Sequence, residues 1–173
     1  WYADPAFFVD FAAIRHWADV SMRLPHGSAA EVTTITASQS EFAIAAPADV
    51  SAQFHVAQVE QLRRSAAPFD RYLVEDLQDG LVPHRKVYLL LDAWYLTPPQ
   101  RAAVEALKRD GHTLVWFFAP GFATDAGLSL SAMEELTGIR FRQEEKPFSA
   151  VRLNPSSFPG APETFQAWRE GFG

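Results

Sequence analysis

The sequence predicts a three-layer α/β fold: a doubly wound, mostly parallel sheet with helices on both faces. Three observations carry that reading. From Phe69 to Phe122 the chain alternates strand, loop, buried strand, capped helix, buried strand and glycine-containing loop, the repeating unit of a parallel sheet. Two of its strands, Lys86-Val87-Tyr88-Leu89-Leu90-Leu91 and Thr113 to Phe118, are near-continuous apolar runs, as expected where both faces of a sheet are covered. The helix between them has its own start and stop signals, so it reads as the crossover joining two parallel strands.

The elements follow in chain order. Asp4 is placed to cap a helix and Pro5 suits its first turn. Phe7, Phe8, Phe11, Ile14, Trp17 and Val20 then recur at three- and four-residue spacing, with Asp10, Arg15 and Asp19 on other faces. That pattern predicts an amphipathic helix over Asp4 to Leu24 with an aromatic stripe, stopped by Leu24-Pro25-His26-Gly27. Such a stripe packs on its own domain or docks on a neighbour. Glu31 to Thr36 alternates and is β-branched, the first strand, although Thr33-Thr34 is polar for a central position. Ser38 to Ala48 reads as a long loop in which Glu41-Phe42-Ala43-Ile44 has the make-up of a short extra strand. Asp49 or Ser51 caps a helix reaching Ser65, with Phe54, Val56, Val59 and Leu62 as its buried positions.

Ala66-Ala67-Pro68 ends that helix, Arg71 to Val74 forms the second strand, and Leu77 to Pro83 is a loop or single turn. After the third strand, Thr97 caps the next helix, Pro98 lies in its first turn, Lys108-Arg109 complement its dipole and Gly111 closes it. Ala119-Pro120-Gly121 ends the fourth strand. A short helix opens at Ser129 or Ser131 and stops at Gly138, and Ile139 to Arg142 reads as an edge strand. Beyond Lys146, Pro147, Pro155, Pro159 and Pro162 break regular structure, and Glu163 to Glu170 suits a terminal helical turn. The organisation expected is a lead-in helix over 1–27, an α/β domain over 28–145 and a Pro-rich extension over 146–173.

At 173 residues the chain is one domain, or one with appendages, able to bury a substantial core. No apolar run reaches the ~18 residues that span a bilayer, so neither a membrane span nor a membrane partner is predicted. A net charge of −6 argues against a nucleic-acid surface, and the basic clusters Arg63-Arg64 and His84-Arg85-Lys86 read as solvated faces. The absence of cysteine excludes disulfides, thiolate metal sites and cysteine nucleophiles. It leaves the compartment open, with a cytoplasmic setting favoured. The chain starts at Trp1 with no signal-peptide pattern before the first helix, so it is expected to be a piece of a longer polypeptide.

Ligands of open α/β sheets bind beyond the carboxyl ends of the strands, at the switch in strand order. Ser38 and Gln39 belong there after the first strand, Glu75 and Asp76 after the second, Asp92, Trp94 and Tyr95 after the third, and Pro120, Gly121 and Phe122 after the fourth. Glu75, Asp76 and Asp92 could form a carboxylate cluster for acid–base work or a hard metal, or Asp76 and Asp92 could instead cap turns or pair with nearby arginines. Trp94 and Tyr95 could stack on a sugar or a partner, or cover the core. The five histidines share no metal-ligand spacing. After Thr36 the chain reads Ala-Ser-Gln-Ser, with no glycine for a dinucleotide turn, and neither a P-loop nor a G-x-S-x-G elbow occurs. No catalytic residue, metal or cofactor is therefore assigned.

Three phrases carry a family resemblance: Ala67-Pro68-Phe69-Asp70-Arg71-Tyr72-Leu73-Val74-Glu75-Asp76-Leu77, Val87 to Leu96, and Gly111 to Trp116 with Ala119-Pro120-Gly121. They resemble the middle domain of family-42 β-galactosidases and related glycoside hydrolases, the β-galactosidase trimerisation domain. The similarity covers most of Glu31 to Phe141, and the first helix resembles the segment leading in from the catalytic barrel. The resemblance implies a flavodoxin-like, glutamine amidotransferase-like fold. It also implies a non-catalytic accessory or oligomerisation domain that self-associates and follows a catalytic (β/α)8 domain, whose two glutamates have no counterpart here. The amidotransferase relatives use a cysteine nucleophile, which this chain lacks. Trp1, Phe7, Phe8 and Trp17 are the expected interface residues. The alternatives are a carbohydrate- or small-ligand-binding module using Glu75, Asp76, Asp92, Trp94 and Tyr95, and a stand-alone hydrolase with a carboxylate site at Asp76 and Asp92.

Overall fold

A computed structural model describes residues 4–43, 52–143, 150–152, 156 and 164–166. The chain divides into two compact units, Trp1–Thr137 and Gly138–Gly173. Gly138, at φ +73°, marks the division: the left-handed backbone that glycine adopts freely stops the helix before it.

In the first unit, four strands pair wholly in parallel in the order β2-β1-β3-β4: β1 (Val32–Thr36), β2 (Phe69–Leu73), β3 (Val87–Leu90) and β4 (Thr113–Trp116). Val32 lies opposite Phe69 on one side and Val87 on the other, and Val87 lies opposite Thr113. All four strands therefore end at one edge. The chain leaves β1 toward one side of the sheet and β3 toward the other, so β1 and β3 flank the switch point.

Five α-helices are found among the described residues: α1 (Pro5–Ser21), α2 (Gln58–Arg64), α3 (Val74–Gln78), α4 (Pro98–Arg109) and α5 (Leu130–Thr137). Side chains of β3 alternate between two apolar clusters. Tyr88 and Leu90 join Ile35 with Val74 of α3, Val104 and Leu107 of α4 and Leu136 of α5. Leu89 and Leu91 face the other way onto Val59, with Leu62 of α2 and Phe117 packed alongside. Helices thus cover both faces, and the doubly wound α/β sheet read from the sequence is the fold observed. The polar pair in β1 is fully buried, and Thr33 Oγ1 satisfies itself by donating to the Asp70 carbonyl at 3.2 Å.

Several local expectations are corrected. The second strand begins at Phe69 and stops at Leu73, because the Asp76 carboxylate accepts the Leu73 N–H at 2.8 Å and starts α3 directly at Val74. Ser38–Ala43 winds into a 3-10 turn, with the Ser40 N–H donating to the Ala37 carbonyl at 2.9 Å, where an extra strand was expected through Ala43. Ile44 lies outside the described residues. The helix expected to reach Ser65 opens as a π-helical turn, Ala52–Ala57, before α2. A small hairpin, β5 (Ala123–Thr124) with β6 (Gly127–Leu128), precedes α5.

In the second unit, Ile139–Arg142 is not a strand. Instead β7 (Ala150–Arg152) and β8 (Thr164–Gln166) form an antiparallel pair with Val151 opposite Phe165, so Thr164–Gln166 is a strand where a helical turn was expected. A lone turn fixes several residues for few hydrogen bonds, whereas a partner strand satisfies the backbone at once.

Candidate functional site

The carboxyl edge of the sheet gathers most of the polar residues singled out from sequence, and the chain's geometry explains how. Ladder hydrogen bonds continue past β3, with Leu91 N–H donating to the Ile35 carbonyl at 3.1 Å, and they carry Asp92 to a position level with the end of β1. There Asp92 is fully buried. Its Oδ1 accepts the Ala37 N–H at 2.7 Å, tying the two strands that flank the switch point. Its Oδ2 lies 2.6 Å from His55 Nε2, which the π-helical turn presents. The other ring nitrogen, Nδ1, lies 3.4 Å from Glu41 Oε1 on the 3-10 turn. The hydrogen bond to Asp92 favours the protonated ring most, the charges of Asp92 and Glu41 add to it, and burial and Arg71 oppose. The imidazole is held above its ordinary value.

A second cluster adjoins it. Ser38 Oγ donates to Glu75 Oε1 at 3.0 Å, and Gln100 Nε2 donates to the same oxygen at 3.1 Å. Glu75 Oε2 is buried with no hydrogen-bond partner among the described residues. Ser40 Oγ donates to the Tyr95 carbonyl and accepts the Tyr95 N–H, both at 3.0 Å, pinning the 3-10 turn to the segment after β3.

The predicted site residues therefore separate. Asp92 and Glu75 lie on neighbouring clusters, since Ala37 and Ser38, consecutive in the chain, contact one each. Asp76 stands apart as the cap of α3. Trp94 is 2% exposed, its ring packed against Phe54 and Phe118 with centroids 5.4 and 5.9 Å away, so no face is offered to a sugar. Its Nε1 also has no partner among the described residues. Tyr95 points its hydroxyl to Asp125 Oδ1 at 2.7 Å, and that bond raises the phenol's pKa. Phe118 sits at φ +60°, a strained conformation for a bulky residue, at the mouth of the same edge.

His55, Ser40 and Glu41 are the functional-edge residues that sequence reasoning missed. His55 carries no local signal, because its partner Asp92 is 37 positions away. The trio resembles a catalytic relay only superficially. Both imidazole nitrogens face carboxylates, and the Ser38 and Ser40 hydroxyls bond elsewhere, so no serine is activated by His55 in this arrangement. Among the described residues no group of three or more His, Asp or Glu is arranged to hold a metal ion.

Of the expected interface residues, Trp1 lies outside the described residues. Phe7 is half-buried against Phe11, with centroids 4.5 Å apart, while Phe8 and Trp17 are 63% and 68% exposed. No residue of α1 is buried. No helix among the described residues is long and apolar enough to cross a membrane.

Among solved structures, the chain is similar to a ThuA-like protein from Bacteroides uniformis, with 17% identity and a TM-score of 0.54 over 84% of this chain and 61% of that one. The chain thus spans about three-fifths of that protein's length. It is also similar to a β-galactosidase from Bifidobacterium adolescentis, with 12% identity and a TM-score of 0.49 over 83% of this chain and 71% of that one. The likeness to the ThuA-like protein establishes the fold, a flavodoxin- and glutamine amidotransferase-like sheet. No protein-family model matches the chain, and no curated protein does.

Proposed function

We propose that the chain is a non-catalytic accessory domain of a glycoside-hydrolase-related protein and works by assembly, with α1 as its contact surface. The observation that carries this reading is the stripe on α1. Over 17 residues the helix buries nothing, yet it presents Phe8, Phe11, Ile14 and Trp17 to solvent. A cluster of that kind marks an interaction site, and aromatic anchors are enriched at the centres of protein interfaces. The phrases shared with the β-galactosidase trimerisation domain support the same role. So does the missing cysteine, because the glutaminase chemistry of the wider fold family has no nucleophile here.

Sedimentation of the purified chain tests the proposal. Self-association is expected, weakened roughly tenfold or more in Phe8→Ser/Trp17→Ser with the circular dichroism unchanged. A chain that stays monomeric at every concentration, or a double variant that associates as the parent does, counts against α1 as the contact surface. Turnover of an aryl galactoside by the chain alone would remove the non-catalytic reading.

A further inference from the structure

We infer that His55 is a pH-operated latch: its protonated ring ties Glu41, and with it the second half of the 3-10 turn, to the buried Asp92 at the switch point, and its neutral ring lets that turn go. This goes beyond assembly and does not depend on α1.

The geometry sets the two states. Asp92 is fully buried, and a carboxylate in that position must be paired to remain ionised. One of its oxygens is taken by the Ala37 N–H at 2.7 Å, and among the described residues His55 Nε2, 2.6 Å from the other, is its remaining side-chain partner. The protonated imidazole has two N–H donors and serves both carboxylates, Asp92 from the segment after β3 and Glu41 from the 3-10 turn. The neutral ring has one. The buried carboxylate keeps it, and the lone pair on Nδ1 is then turned toward the carboxylate of Glu41, only 3.4 Å away. Attraction becomes repulsion at the exposed end of the bridge. Arg71 on β2 is the opposing charge, but the net effect of these groups favours the protonated ring.

Release is local. Ser40 stays fastened to the Tyr95 backbone through both of its hydroxyl hydrogen bonds, so among the described residues of the turn Glu41–Ala43 is the part set free. Glu41 and Asp92 sit at the two nitrogens of one ring, so the latch controls how firmly that turn is held to the switch point. The sign follows from the raised ring. Its stabilising effect is complete below the ordinary imidazole value of 6.5 and is lost as pH rises through the higher value in the folded chain.

The test combines imidazole NMR titration with amide exchange, corrected for intrinsic base catalysis, across the histidine range in the intact chain, Glu41→Gln and His55→Gln. His55 should titrate above a free imidazole, and Glu41→Gln should lower that midpoint while leaving the chain folded. Protection at Glu41–Ala43 should fall several-fold as the ring deprotonates in the parent chain, and should stay flat in both variants. If His55→Gln does not fold, Glu41→Gln alone decides. A His55 midpoint at or below that of free imidazole overturns the latch. So does a pH-dependent loss of protection that persists in Glu41→Gln.

Discussion

Helices α1 and α4 begin alike and end in opposite situations. Each starts with a capping residue followed by proline, Asp4-Pro5 and Thr97-Pro98, and each carries apolar residues at helical spacing. The Asp4 carboxylate accepts the Ala6 N–H at 2.9 Å, while the Gln100 side chain reaches back to accept the Thr97 N–H at the same distance. Helix α4 buries Gln100, Val104 and Leu107, and it is clamped to α5 by Arg101 on the Ala132 carbonyl and by Lys108 Nζ on the Leu136 carbonyl. Helix α1 buries nothing, despite three phenylalanines and a tryptophan. Local signals start both helices, but only packing against the sheet makes one of them part of the core. The more aromatic helix is the one with no buried residue, which is what makes it the candidate contact surface.

The largest expected effect separates the two helices directly. Leu107→Ala should cost about 2–5 kcal/mol in urea unfolding, as a buried leucine truncated in a packed cluster does. Trp17→Ala should stay within about 0.5 kcal/mol for the monomer, since its side chain is exposed. A comparable loss in both would mean that α1 packs on the body in solution, and the contrast would collapse. Next in size is Gly121→Ala, at the end of the loop that α4 and α5 enclose. Gly121 holds φ +67°, and a Cβ there would lie 2.7 Å from Leu136 Cδ2, so a loss of about 1–3 kcal/mol is expected.

The caps sharpen the comparison at smaller scale. Gln100→Ala should lower global stability by about 1 kcal/mol, because it releases the Thr97 N–H and the Glu75 carboxylate together. Asp4→Ala should fray α1, seen as lost helicity, while the unfolding midpoint of the body holds. The smallest effect concerns the charges that tie the body. Arg85 donates from Nε and from the end of its guanidinium to Asp70 Oδ2 at 3.1 and 2.7 Å, and with Ser28 it keeps that carboxyl below its ordinary 3.8. A lowered carboxylate stabilises above the unfolded value, and the benefit is lost as pH falls through the folded one. Arg85→Gln should therefore flatten the acid limb of a thermal unfolding series without altering α1 helicity. An unchanged acid limb would show that the pair contributes nothing measurable.

Legibility followed the range of the interaction. The α4 start at Thr97-Pro98 and its stop at Gly111 were readable because a cap, a proline and a glycine act within a few residues of themselves. The run of β3 was readable because burial on both faces selects apolar residues along it, whereas β4, equally apolar in sequence, is the edge strand and leaves Thr113 and Val115 exposed. Asp92 was placed at a strand end correctly, but its task was not, since Ala37 and His55 reach it across the chain. From its neighbours in sequence Trp94 could stack on a ligand or cover the core, and its enclosure by Phe54 and Phe118 selects the second. The ribbon of β7 and β8 was hidden for the same reason, as neither short segment shows a strand pattern until the other is beside it.

What this chain's sequence determined by itself is the alternation of elements, their caps and stops, the core of the parallel sheet and the absence of any cysteine chemistry. These depend on spacing and residue type, which act over a few bonds or through burial shared by a whole strand. Only the tertiary structure decided that α1 buries none of its residues, that Asp76 caps a helix while Asp92 and His55 meet at 2.6 Å at the switch point, and that the 3-10 turn reaches the same ring through Glu41. Those outcomes rest on contacts between residues far apart in the chain. A contact of that kind depends on where two backbones come to lie, and no local pattern encodes that meeting.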